Sequence, residues 1–138
     1  MEPIRDDQLA PAVAEIARIY SLRLVLVFGS QAEGTATAKS DVDIGVITDP
    51  FVEINADYDL ALQEAFFKIF GTDRVDLIYL DKASPLLRYR AFSNALVLFD
   101  RDKMFDRLAS YAARYYADTT KFRDLQRRFI EAFVAHDN

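Results

Sequence analysis

The chain has 138 residues, just over half of them hydrophobic, which is enough for the core of one domain. It has no cysteine and a single histidine, so disulfides, thiolate metal sites and His-rich zinc sites are excluded, and any metal must be held by oxygen, as magnesium or manganese is. A net charge of −5 argues against gripping an extended nucleic-acid backbone, but a single nucleotide can be neutralised locally.

Asp6 or Asp7 can cap a first helix, in which Leu9, Val13, Ile16 and Tyr20 recur at helical spacing. Leu22 to Phe28 is too short for a typical helix and reads as a buried strand that Gly29 ends. Gln31 to Lys39 is small and polar, with a short helical turn before Gly34. Val42 to Ile47 forms a second strand, stopped near Asp49-Pro50. Asn55 or Asp57 caps a second helix carrying Tyr58, Leu62, Ala65, Phe66 and Ile69, and Gly71 fits the C′ position beyond its end. Arg74 to Leu80 is a third strand. Ser84-Pro85 is a cap followed by proline at the first helical position, opening a short helix to about Ser93. Ala95 to Phe99 is a fourth strand, and Asp100 can cap the last segment. From Arg101 almost to the end there is neither Gly nor Pro, and aromatic and aliphatic residues keep a three-four repeat. That segment is one long amphipathic helix, or two with a break near Asp118-Thr119-Thr120.

The order is a mixed α/β pattern. The short link between the first two strands predicts antiparallel neighbours, and the helix between the second and third predicts a parallel crossover. No linker divides the chain, so a single domain is expected, with a core over about 22–100 and a helical tail over about 101–138. The first residues, MEPIRDD, lack a basic region followed by an apolar core, and no apolar stretch is long enough to span a bilayer. The expectation is a cytoplasmic protein with no membrane attachment.

Chemistry concentrates in Leu22 to Ile47. On a strand, Asp41 and Asp43 point to one face with Cα atoms about 6.5–7 Å apart, so their carboxylates can converge on divalent ions. Without a cation, each raises the other's pKa. Taken alone, the pair also reads as a solvated loop entering a strand. Gly29 lets the backbone approach a ligand closely, and Ser30 adds a hydroxyl and a backbone N–H, although Gly-Ser alone is an ordinary turn. Asp76 lies between Val75 and Leu77, where an acid is costly unless it is paired or holds a metal. The plainer reading is an edge-strand aspartate facing solvent or pairing with Arg74 or Lys82. If the third strand lies beside the second, Asp76 joins Asp41 and Asp43 at one edge.

Gly29-Ser30, ten further residues, Asp41-Val42-Asp43 and then a strand aspartate, Asp76, together resemble the nucleotidyltransferase signature of the polymerase-beta-like superfamily. The small size and the turn Gln31-Ala32-Glu33-Gly34 resemble its minimal nucleotidyltransferase (MNT) branch. Glu33 departs from the pattern, since the family often has a basic residue in this turn. The signature covers Leu22 to Leu80, and the flanking helices match in outline. The resemblance implies an α/β (α+β) fold, with a small mixed sheet flanked by helices and a long C-terminal helix or helices. It implies ATP as substrate and two Mg2+ ions held by Asp41, Asp43 and Asp76, with Gly29 and Ser30 on the β- and γ-phosphates and Asp76 also able to accept the proton of an attacking hydroxyl. It further implies a partner, a HEPN-domain ribonuclease toxin, silenced when AMP is transferred from ATP to one of its tyrosines.

Two other functions compete with this one. The chain can act as a non-catalytic antitoxin that blocks its partner through the C-terminal aromatics, or as a nucleotidyltransferase for a small molecule, for which 138 residues leave little room. RNA 3′-end addition is disfavoured by size and acidity. Lys39, Lys82, Arg88 and Arg90 are candidate phosphate or ribose contacts, Arg88 and Arg90 being the better placed, although solvated surface charge is the plainer reading for each. Tyr111, Tyr115 and Tyr116 read more readily as packing residues than as a platform for a base, and His136 as a solvated residue of the tail.

Overall fold

The computed structural model describes residues 6–29 and 41–137. Helix α1 spans Asp6–Tyr20, strand β1 Leu22–Phe28 and strand β2 Val42–Thr48. Helix α2 (Ala56–Phe70) leads to strand β3 (Val75–Tyr79), and a 3-10 turn over Leu80–Lys82 precedes helix α3 (Pro85–Ser93). Strand β4 (Leu96–Asp100) and helix α4 (Phe105–Asp137) complete the fold. Ser30, the turn Gln31 to Gly34, Lys39 and Ser40 lie outside the described residues.

The four strands form one mixed sheet in the order β3-β2-β1-β4. Strand β1 runs antiparallel to both β2 and β4, and β2 is parallel to β3. Central β1 is buried on both faces, which is why it reads as an unbroken apolar run rather than an alternation. On one face Val25, Val27, Ile44 and Val46 pack with Val13 and Ile16 of α1 and Leu62 and Phe66 of α2. On the other face Leu24, Leu26 and Phe28 pack with Leu80, Ala91 and Phe92, and with Ala112 of α4. Gly45 is needed in this second core, because a Cβ there would run into Leu80 and Leu26.

Local chemistry sets the helix ends. The Asn55 side chain accepts the Tyr58 N–H at 2.8 Å, and Gly71 closes α2 in the left-handed conformation at φ 67°. Ser84 caps α3 by accepting the Leu87 N–H, with Pro85 at the first position. Both carboxylate oxygens of Asp100 receive backbone N–H groups, from Met104 and Phe105, and so hold the start of α4.

A tyrosine network ties β3 to α2. The Tyr79 hydroxyl donates to Asp59 Oδ1 at 2.6 Å, while Gln63 donates to Asp59 Oδ2. The Tyr58 hydroxyl donates to the Tyr20 carbonyl, joining α2 to the end of α1, and its burial pushes its pKa up to about 12. At the far end of the sheet, Arg101 makes a two-pronged contact with Asp49.

Helix α4 is continuous for 33 residues. It runs unbroken through Thr119 and Thr120, whose hydroxyls both donate to the Tyr116 carbonyl within the helix. Its first turns pack on α3, whereas Phe122, Leu125, Phe129 and Phe133 are all exposed. Among the described residues no helix is long and apolar enough to cross a membrane.

Phe66 is fully buried between the sheet and the helices, and Phe129 is 73 % exposed. Phe66→Ala is expected to cost about 3–5 kcal/mol in chemical denaturation, while Phe129→Ala stays within about 0.5 kcal/mol of the parent.

Candidate active site

The parallel pairing of β2 with β3 sets Asp43 directly beside Asp76. The antiparallel pairing of β1 with β2 sets Phe28 beside Asp43 on its other side. Phe28, Asp43 and Asp76 therefore form one row across three strands. Gly29 comes directly after Phe28, and Asp41 is exposed two residues before Asp43, just ahead of β2. A backbone bond from the Val42 N–H to the Arg74 carbonyl (2.8 Å) pins the beginnings of β2 and β3 together.

Alternation explains why these acids share a face. Val42, Ile44 and Val46 point into the core beneath α1 and α2, so Asp43 is turned to the opposite face. Val75, Leu77 and Tyr79 pack toward that same core and turn Asp76 likewise. Arg74 lies at the same edge, lining a shallow pocket together with Asp41 and Asp76.

Gly29 sits at φ 72°, in the left-handed region. A Cβ at this position would collide with the Asp43 carboxylate Oδ2. Gly29 thus lies against the acid, in a conformation that favours glycine, and any side chain there would have to displace the Asp43 carboxylate.

Burial pushes the Asp43 carboxyl above the ordinary carboxylate range, and the negative charges of Asp76 and then Asp41 push it further. Such a cluster of acids suits a divalent cation held by oxygen. Among the described residues no three acidic or histidine side chains already converge as a closed ligand cage. The donor set fits a hard cation in its chemistry, with Asp43 and Asp76 adjacent and Asp41 at the rim.

A cleft of about 520 Å3 opens over this row. One side carries Gly29, Asp43 and Asp76, and the facing side carries Leu87, Tyr89 and Arg90 of α3. Of the four basic candidates, Arg90 lines the cleft. Arg88 is engaged elsewhere, its Nε donating to the Ala83 carbonyl and its guanidinium lying 5.9 Å from the Tyr115 ring centre. Lys82 is exposed on the 3-10 turn and does not line the cleft. Tyr89 carries no mark in the sequence, because no periodicity distinguishes it from its neighbours on so short a helix.

The profile of the family described as polymerase beta, nucleotidyltransferase, matches residues 12–104, more than half of the chain. The chain belongs to this nucleotidyltransferase family. Among solved structures, a chain from a toxin–antitoxin crystal structure with AMP-PNP is similar with a TM-score of 0.71 at 21% identity, covering 88% of this chain and 97% of that one. A chain from a structure of tri-AMPylated Shewanella oneidensis HEPN toxin in complex with MNT antitoxin gives 0.67 at 18% identity, covering 91% and 98%. A chain from the MntA-HepT toxin–antitoxin complex gives 0.66 at 19% identity, covering 91% and 98%. No match was found among curated proteins. The expected α/β fold, with its mixed sheet and long C-terminal helix, is the fold these chains share.

The folded-state pKa of Asp43 lies above the value of 3.8 for an unperturbed aspartate, so ionising this residue opposes folding. Any favourable contribution of the neutral acid is complete below pH 3.8 and is lost as pH rises through the raised value. Asp43→Asn is therefore expected to raise Tm at pH 7 without added metal. This gain should shrink toward zero as thermal scans are repeated down to the pH of an ordinary carboxylate.

Proposed function

We propose that this nucleotidyltransferase is an antitoxin that moves AMP from ATP onto a tyrosine hydroxyl of a HEPN-domain ribonuclease toxin. The observation that carries the reading is the row Asp43–Asp76 beside a glycine turn, at the edge of a family-typical sheet. The fold likeness to chains from toxin–antitoxin complexes, one with an AMPylated toxin, supports the choice of acceptor. In this reading the chain is one domain, with a core over about 22–100 and a helical tail over about 101–138, and it works in the cytoplasm where ATP is supplied.

Asp41, Asp43 and Asp76 would hold two Mg2+ ions, which neutralise the charge on the transferred phosphoryl group and the departing pyrophosphate. Gly29 offers its unobstructed backbone to the β- and γ-phosphates, with Ser30 as the next donor. Arg90, across the cleft, offers a positive charge to the same end of the nucleotide. Asp76 accepts the proton of the incoming hydroxyl. The acceptor oxygen forms a bond to the α-phosphorus, the bond from that phosphorus to the bridging β-phosphate oxygen breaks, and pyrophosphate leaves with the electron pair.

A second reading, in which the partner is silenced by contact alone, draws on the exposed Phe122, Leu125, Phe129 and Phe133 of α4. The two are separated by incubating this protein with the HEPN-domain protein, ATP and Mg2+ and weighing the acceptor by mass spectrometry. The parent is expected to add the mass of AMP, and Asp41→Asn and Asp43→Asn to lower the rate by about a hundredfold or more while remaining folded by circular dichroism. Unmodified acceptor, together with inhibition that survives both substitutions, would instead establish the contact mechanism.

A further inference from the structure

The cleft also has aromatic and apolar lining that the phosphate chemistry does not use. Tyr89 lines it, and its ring stacks on Tyr116 of α4 with centroids 4.6 Å apart and planes 16° from parallel. One face of Tyr89 is thus covered, yet the residue stays 37 % exposed. Leu87 and Ile78 add apolar lining, Ile78 standing two residues beyond Asp76 on the same face of β3.

The Tyr116 ring is itself braced, with the Arg123 guanidinium 6.0 Å from its centre. A ring fixed in this way loses little freedom when a third aromatic group stacks on it. The acidic, glycine and arginine lining suits a metal-bound triphosphate and the aromatic lining suits a planar ring, and the volume of about 520 Å3 is within the range of small-ligand sites.

We propose that Tyr89, braced by Tyr116, is the stacking seat for the nucleotide base. The inference rests on the nucleotidyltransferase reading of the acid row and adds to it the residue that binds the other half of the substrate. Stacking uses the π-face that every base has, so this contact favours the larger purines without reading hydrogen-bond patterns. It also gives the first half of α4 a role in substrate binding, because Tyr116 lies twelve residues beyond the end of the family match.

The test compares binding of AMP-PNP and of inorganic tripolyphosphate, each with Mg2+, by titration calorimetry. Tyr89→Leu is expected to weaken AMP-PNP by about five- to a hundredfold and to leave tripolyphosphate unchanged. Tyr89→Phe, which keeps the ring, should bind both ligands like the parent, and Tyr116→Leu should lose part of the AMP-PNP affinity. Unchanged AMP-PNP binding by Tyr89→Leu, or an equal loss of both ligands, overturns the stacking seat alone. Failure of the parent protein to bind AMP-PNP overturns the nucleotide reading of the cleft and the stacking seat with it.

Discussion

Two carboxylates held side by side on neighbouring strands repel each other, and the fold keeps them together through the residues between them. At a strand spacing of about 5 Å and an effective dielectric of about 20, the repulsion is at most about 3 kcal/mol. Val42, Ile44 and Val46 alternate with Asp43 and Gly45 along β2 and are buried, each contributing about 1.5–3 kcal/mol. Burial therefore outweighs repulsion, and the acids are carried to the edge by a strand whose other face has to be inside. Asp59 adds a fixed point on β3 by accepting the Tyr79 hydroxyl. The same arrangement raises the pKa of Asp43 and leaves charge for a ligand to satisfy.

Helix α4 divides into two physically different halves. Phe105, Leu108 and Ala112 pack against the second core, and Tyr116 reaches the cleft wall through Tyr89. Beyond Phe122 the apolar side chains face outward, and local contacts such as Arg127 with Asp124 support the helix. At about 1.5 Å per residue the helix is roughly 50 Å long, so a uniform apolar repeat in the sequence conceals a change of environment halfway along.

The features legible in the sequence are local ones. The caps at Asn55 and Ser84 and the stop at Gly71 arise from side-chain donors and backbone freedom within a few residues. Apolar runs mark β1 and β2, and the short link between them marks their antiparallel pairing. The acids stand out because an aspartate amid Val and Leu needs a reason. Sheet order is harder to read, since β4 pairs with β1 across the whole intervening chain. Arg88 and Arg90 look alike in the sequence, because α3 is short and its apolar residues define no clear face. The Tyr89–Tyr116 pair joins two helices, and no spacing within either one encodes it. The continuity of α4 through Thr119 and Thr120 is not marked in the sequence, because threonines after an aspartate suit a helix end as well as a helix interior.

The register of β3 decides whether the two acids meet at all. Asp76 stands beside Asp43 because β3 pairs with β2 at one particular offset. A slip of one position would exchange the two faces of the strand, turning Asp76 toward α2 and setting Leu77 or Val75 over the cleft. Val75, Leu77 and Tyr79 oppose that slip, because each would lose its packing on the core. The apolar face of β3 thus aligns the site, and a length change in the turn after α2 is expected to be absorbed in the turn without moving the acid.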